Sequence, residues 1–195
     1  MSGIGEMAGA GPGRGKWVLL LGGSRSGKSS MGERLAREKG GRDVLFVATG
    51  QALDDEMRER IQRHQADRAK YGWRTLEAPD QIGAKVREAL TGGEKVVLLD
   101  CLTLLVSNTL CALGEETPSS EAEAKATAEL DALLAVMRDC PADFVVVSNE
   151  VGLGLVSPYK LGRLFSDAMG RVNQRMAAAA DEVVFMAAGL SIKLK

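Results

Sequence analysis

Five short apolar runs constrain this chain more than anything else in it: KWVLLLG (Lys16 to Gly22), DVLFVAT (Asp43 to Thr49), KVVLLD (Lys95 to Asp100), DFVVVSN (Asp143 to Asn149) and EVVFMAA (Glu182 to Ala188). Their apolar residues are continuous, which suits strands buried on both faces rather than strands with one wet face. Parallel strands of that kind need crossovers long enough to hold a helix. The intervening segments supply them. One helix-period stretch runs from the end of the first strand's loop through about Lys39, and another from about Leu53 to Arg68. Ser120-x-x-Glu123 has the form of a capping box before a segment reaching about Asp139. Ser157-Pro158 offers an N-cap and a first-turn proline for a helix running to about Ala180. WRTLEA (Trp73 to Ala78) is a further candidate strand, and the expected loops are Ala112 to Ser119 and Val151 to Ser157. The expectation is an α/β, three-layer fold with a mostly parallel central sheet and helices on both faces. It forms one domain over residues 16–195, and the glycine-rich residues 1–15 are expected to be a flexible N-terminal extension.

The first apolar run ends in Gly22-Gly23-Ser24-Arg25-Ser26-Gly27-Lys28-Ser29, a Gly-x-x-x-x-Gly-Lys-Ser pattern placed between a strand and a helix. Glycines at these positions let backbone N–H groups turn inward around phosphate oxygens, and the helix N-terminus adds partial positive charge. Lys28 can then reach the terminal phosphates, while the Ser29 hydroxyl can ligate Mg2+. Such a site needs an acidic group at a neighbouring strand end to complete the metal's surroundings, and Asp100, closing KVVLLD, stands there. The fold expected is therefore of the P-loop NTPase type, binding a nucleoside triphosphate. The loop alone does not choose among kinases, GTP switches, motors and transporters. A GTP switch would carry an Asn-Lys-x-Asp segment, and the nearest approach, Ser148-Asn149-Glu150-Val151, lacks both the lysine and the aspartate.

A formal net charge of -1 gives no general attraction to nucleic acid or to anionic lipid, so small-molecule chemistry is favoured. No apolar run approaches the roughly 18 residues of a membrane span. No secretory leader is legible either, so a cytoplasmic protein is expected. Cys101, Cys111 and Cys140 show no C-x-x-C spacing and read as reduced packing residues.

The single histidine, His64, lies in LDDEMRERIQRHQADR. At about 100° per residue, Met57, Ile61 and His64 fall roughly 40°, 80° and 20° around the helix from Leu53, which puts His64 on the apolar stripe. A core imidazole bonded to backbone and a reactive one facing a ligand both fit this position. With no metal-binding companions, the reactive alternative is acid–base work or nucleophilic attack on phosphorus.

From Trp17 onward the chain resembles a known family, the bifunctional adenosylcobinamide kinase / adenosylcobinamide-phosphate guanylyltransferases of cobalamin biosynthesis. The segments that carry the resemblance, in order, are GGSRSGKS, FVATG, LDDEMRERIQRHQADR, WRTLEAP, LLDCLTLLVSN, VVVSNEVGLGLVSP, GRVNQRMAAAADEV and GLSIKLK. It implies two reactions: phosphorylation of the aminopropanol hydroxyl of adenosylcobinamide, and transfer of GMP from GTP onto that phosphate through a guanylylated histidine, which here matches His64. The resemblance further implies that Gly22 to Ser29 hold the triphosphate and that Ala48, Thr49 and Gly50 touch nucleotide. Gln65, Ala66, Asp67 and Arg68 would follow the histidine in the nucleotide site, and Glu77 and Asp100 match two acidic positions, Asp100 standing where Glu is commoner. Substrates would be GTP and ATP with adenosylcobinamide and its phosphate, Mg2+ the cofactor, and the assembly a homo-oligomer, with a trimer as the expected state.

On this reading His64 attacks the α-phosphorus while Lys28 and the loop amides stabilise the departing pyrophosphate. One phosphate loop can serve both reactions if the triphosphate shifts or the helix carrying His64 moves, and the polar, charged residues QADRAK after His64 have weak packing potential that suits movement. Two other functions stay in competition: a P-loop kinase of another small alcohol with a structural His64, and a nucleotide-responsive binding module. Arg171, Asn173, Gln174 and Arg175 form a polar cluster that fits a solvated helix face as well as a substrate or subunit contact.

Overall fold

The computed structural model describes residues 13–52, 55–114 and 117–195; side chains at positions 56, 57, 60, 64 and 67 fall outside that description. In chain order the elements are β1 (Trp17–Gly22), α1 (Lys28–Gly40), β2 (Val44–Ala48), α2 (Asp55–Ala69), β3 (Arg74–Glu77), α3 (Ile82–Ala89), β4 (Val96–Asp100), α4 (Leu102–Leu113), α5 (Ser119–Asp139), β5 (Asp143–Val147), α6 (Lys160–Ala179), β6 (Glu182–Ala187) and β7 (Leu190–Lys193). They build one seven-stranded sheet in the order β3-β2-β4-β5-β1-β6-β7. All pairings are parallel except β6 with β7.

The five apolar runs are the five central strands, and each is buried on both faces as their composition requires. Alternate residues feed separate cores. Leu19, Leu45, Val97, Leu99, Phe144 and Val146 point toward α3, α4, α5 and α6, joining Ile82, Leu105, Leu133 and Met169. Val18, Leu20, Phe46, Leu98, Val145 and Val147 point the other way and pack with Ala36, Met31 and Leu35 of α1. The three layers expected from the sequence are thus α1 with the sheet and then the α3–α6 layer.

The structure adds elements that the sequence reading did not foresee. Residues of the terminal GLSIKLK form β7, an antiparallel hairpin strand closing on β6 through the turn at Ala188-Gly189, both at positive φ. Leu102–Leu113 form α4, a mainly apolar helix packed against α5 and α6 whose polar residues Thr103, Ser107, Asn108 and Thr109 spread around it and trace no single stripe. WRTLEA does contain a strand, the edge strand β3.

Two expected caps are corrected. α5 begins at Ser119 behind Pro118 with no side-chain cap, so Ser120 lies inside the helix and Glu123 is held by Arg171 at 2.5 Å instead. α6 begins at Lys160, two residues beyond Pro158, and Ser157 Oγ accepts the Tyr159 N–H at 3.3 Å as part of the preceding turn. The fold also starts slightly before Lys16: the Arg14 guanidinium forks onto both oxygens of Asp181 at 2.9 and 2.6 Å, and Gly15 N–H donates to Cys140 O. Cys101 and Cys140 are buried as expected, whereas Cys111 is exposed on α4. Among the described residues no helix is long and apolar enough to cross a membrane.

Candidate active site

The sheet's C-terminal edge carries Ala48, Glu77, Asp100 and the start of the phosphate loop because parallel strands all end there. Strand register puts Glu77, Ala48 and Asp100 in one row across β3, β2 and β4, continued by Val147 on β5 and Leu20 on β1. Residues in register share a face, and Ala48, Val147 and Leu20 belong to the core under α1. The carboxylates of Glu77 and Asp100 therefore project on the same side of the sheet as α1.

The loop Gly22 to Ser29 turns from β1 into α1 in that layer. Gly22 has φ +150°, and a Cβ there would sit 2.2 Å from Met186 O, so the first glycine is obligatory for steric and conformational reasons alike. Gly27, at φ +98°, makes the final turn into α1. Neighbouring backbone fixes the loop from both sides: Glu150 N–H donates to Gly22 O at 3.0 Å and Gly189 N–H donates to Ser26 O at 3.0 Å. Ser24 and Arg25 are exposed at its crest, Arg25 with φ +57°. Lys28 is buried, and its ammonium donates to Gly23 O at 2.6 Å and to Ser26 Oγ at 3.3 Å.

Burial pushes the Lys28 ammonium below its usual pKa, opposed by the negative charge of Asp100. Cys101, joined to Asp100 by a cis peptide, is pushed up to about 11 by burial and by Asp100. It stays a neutral thiol near pH 7 and is no nucleophile. Ser29 is half-buried at the start of α1. The Ser29 hydroxyl and the Asp100 carboxylate are hard oxygen donors, and a few protein oxygens plus phosphate are what Mg2+ takes; the donor set fits that ion.

Thr49 and Gly50 lead from β2 toward α2. Thr49 is fully buried, and its hydroxyl both donates to Cys101 O at 2.7 Å and accepts Cys101 N–H at 2.8 Å, locking the ends of β2 and β4 together. Gly50 lies beneath Ile61 of α2 and Leu104 of α4. His64 is within α2, but its side chain and that of Asp67 lie outside the described residues, so the inward stripe expected for His64 does too. Gln65 and Ala66 are exposed. Arg68 is buried, its guanidinium 3.6 Å from the Phe46 ring centroid and 3.9 Å from a Glu33 carboxylate oxygen. The stacking distance is close and the ion pair is at its outer limit, so the aromatic contact is the stronger hold.

Three polar residues sit behind this edge, of which Thr103 and Asn108 carried no expectation from the sequence. Thr103, in the first turn of α4, accepts Asn149 N–H at 2.8 Å. Asn108, further along α4, donates through Nδ2 to both Thr49 O and Pro79 O, at 2.8 and 3.0 Å. Asn173 on α6 accepts from Ser148 Oγ at 2.7 Å and donates to Asn149 O at 3.0 Å. The signal was an Asn and a Thr inside the apolar run LTLLVSNTLCAL, where polar side chains must find partners. The polar cluster on α6 therefore divides: Asn173 is buried in the edge network, Arg171 and Arg175 pair with Glu123 and Asp131 of α5, and Gln174 is exposed. An open groove of about 490 Å³ lies beside those α5–α6 pairs. Its charges already satisfy one another, and it is lined by neither the phosphate loop nor the strand edge.

Known proteins place this edge in context. Residues 18–194 match the family model described as cobinamide kinase / cobinamide phosphate guanyltransferase. The bifunctional adenosylcobalamin biosynthesis protein CobU of Escherichia coli K12 is 40% identical over 183 residues, covering 91% of this chain and 99% of that protein. Its counterpart in Salmonella typhimurium LT2 is 42% identical over the same length and coverage. The Pseudomonas aeruginosa PAO1 protein CobP is 41% identical over 177 residues, covering 91% and 96%. Among solved structures, the flagellar accessory protein FlaH from Methanocaldococcus jannaschii superposes with a TM-score of 0.51 at 15% identity, over 96% of this chain and 81% of that one, a likeness of fold alone. With a match across nearly its whole length, from β1 to the end of β7, the chain belongs to the cobinamide kinase / cobinamide phosphate guanyltransferase family.

Proposed function

We propose that this chain phosphorylates adenosylcobinamide with a nucleoside triphosphate, GTP or ATP, and then transfers GMP from GTP to the new phosphate through a guanylylated His64. The observation that carries this reading is the convergence, on one face of one strand edge, of a complete phosphate loop with Asp100 and the root of the helix bearing the chain's single histidine.

In the first reaction the acceptor hydroxyl attacks the γ-phosphorus and a nucleoside diphosphate leaves. The loop amides and Lys28 bind the phosphates and offset charge gathering on the transferring group. In the second, a neutral imidazole nitrogen of His64 forms a bond to the α-phosphorus as the bond to pyrophosphate breaks, giving a phosphoramidate. An oxygen of the corrinoid phosphate then attacks the same phosphorus, and the imidazole departs and is restored. Ser29 and Asp100 would hold Mg2+, which supplies Lewis-acid neutralisation of phosphate charge when bound. Ala48, Thr49, Gly50, Gln65 to Arg68 and Glu77 surround the approach to α2 and are assigned to nucleotide contact. Nucleotide substrates and reduced cysteines fit a cytoplasmic enzyme.

A homo-oligomer, a trimer, belongs to the same reading. Exposed Leu190, Ile192 and Leu194 along the edge strand β7 support it, as apolar surface of that kind is normally covered. A monomer in sedimentation would remove this part alone.

The deciding experiment uses GTP labelled at the α- or γ-phosphate. Protein-bound α-label that is acid-labile, alkali-stable and absent in His64→Ala is expected, with γ-transfer to cobinamide persisting in that variant. GTP binding without covalent α-label would sink the guanylyl-histidine, and γ-transfer to some other alcohol but not to cobinamide would make the chain a different kinase.

A further inference from the structure

Helix α4 carries two polar side chains that serve opposite halves of the edge. Thr103 holds Asn149 N–H, and Glu150, the next residue, donates its N–H to Gly22 O, so Thr103 braces the phosphate-loop side. Asn108 lies five residues on, and both its amide hydrogens go to carbonyls on the other side: Thr49 O, from which the chain leaves β2 for α2, and Pro79 O, just past β3. Ala78 N–H donates to Ala48 O at 2.8 Å between those two points, so the ends of β2 and β3 form one unit clasped by a single side chain. Thr49 also holds Cys101 through its hydroxyl, but that contact fixes β2 to β4, whereas the Thr49 carbonyl accepts from Asn108.

We infer that Asn108 is a positioning residue specific to the guanylyl-transfer half of the chemistry: by clamping Thr49 O and Pro79 O it sets where α2, and with it His64, rises from the sheet. This rests on the reading of His64 as the guanylylated residue. The γ-transfer step does not depend on that placement, because the phosphate loop is held by Glu150 and Gly189 on its own side of the sheet. A small misplacement of a reacting group, caused by a substitution far from the chemistry, can cost about 100-fold in rate.

The test is a split between the two reactions in Asn108→Ala and Asn108→Asp. Ala is the best helix former, so the first variant retains α4; Asp keeps the shape but turns oxygens toward two carbonyls. Covalent α-labelling should slow about 10- to 100-fold in Asn108→Ala and more in Asn108→Asp, with γ-transfer to cobinamide within about twofold of the parent. Thermal melting of the same samples supplies the second measurement. Equal loss of both activities, or loss that merely tracks the melting temperature, would overturn the positioning role while leaving the proposed function standing. Absence of α-label in the parent protein would overturn both. Unchanged α-labelling in both variants would overturn the positioning role by itself.

Discussion

The phosphate loop and helix α2, which the proposed function sets against one substrate, are built in opposite ways. The loop is over-determined: β1 is buried on both faces, Gly22 O and Ser26 O each accept from a different neighbouring segment, and Lys28 bridges the loop from within. α2 is composed mostly of charged and polar residues, and its contacts with the body include Ile61 over Gly50 and Arg68 over Phe46 beside Glu33. Pre-organised amides stabilise transition-state charge because they do not have to move. A nucleophile that must meet the α-phosphorus in one reaction and leave the γ-phosphorus accessible in another is better carried on an element whose placement is set at a few points. On the proposed reading those points include the end of β2, held by Asn108 at Thr49 O, and the last turn of α2, where Arg68 sits over Phe46.

The comparison breaks most readily at Lys28. Replacing it with Ala removes a buried cation from the loop that both reactions share, and both γ-transfer and α-labelling should fall about 100- to 1000-fold. Single-turnover assays of the two labels on one preparation check this. A loss confined to one reaction would mean that the reactions do not use the loop in common.

Arg68→Ala sharpens the other side. The guanidinium sits over the Phe46 ring in a buried setting, and losing that contact with its aliphatic stem should cost about 1–2 kcal/mol. Its kinetic effect should be several-fold smaller than that of Lys28→Ala and should fall on α-labelling. If γ-transfer drops by the same factor, Arg68 acts on the shared nucleotide and not on the seating of α2. Urea melts and the two label assays separate these outcomes.

Five strands, the loop and the acidic strand end were legible because each is written in contiguous residues: an apolar run, a glycine-lysine pattern, a carboxylate at the close of KVVLLD. What escaped was written across the chain. Asn108 finds its partners at positions 49 and 79, and Asn173 at 148 and 149, contacts that exist only after the strands have lined up. α4 was hidden for a related reason, since its polar residues Thr103, Ser107, Asn108 and Thr109 are spread around the helix and give no single stripe to betray its period. The misplaced caps show the limit of local patterns. Glu123 fits a capping box by spacing, yet an arginine on α6 offered a charge-assisted partner and won. β7 was missed because its alternating, exposed LSIK has the look of a tail until β6 supplies a neighbour.

The smallest expected effect concerns the start of the strand that bears the loop. Asp181 accepts both guanidinium hydrogens of Arg14 and also Trp17 N–H at 2.7 Å, so it ties residues before β1 to the turn before β6. The Arg14 hydrogen bond, aided by the Trp17 N–H and opposed by partial burial, holds its carboxyl below the usual range. A depressed carboxylate pKa stabilises the fold at pH values above the unfolded pKa, and that stability is lost as pH falls through the folded value. The pair is partly solvated, which limits the contribution to about 1 kcal/mol or less. Asp181→Asn should therefore lower the melting temperature slightly at pH 7, and the gap between variant and parent should close as the pH drops below about 4. Because the tie is at the far end of β1 from the loop, both label assays should be unchanged at pH 7. A variant with normal melting but impaired transfer would instead mean that the strand transmits its N-terminal anchoring to the phosphate site, and the loop would then be less self-sufficient than its own hydrogen bonds imply.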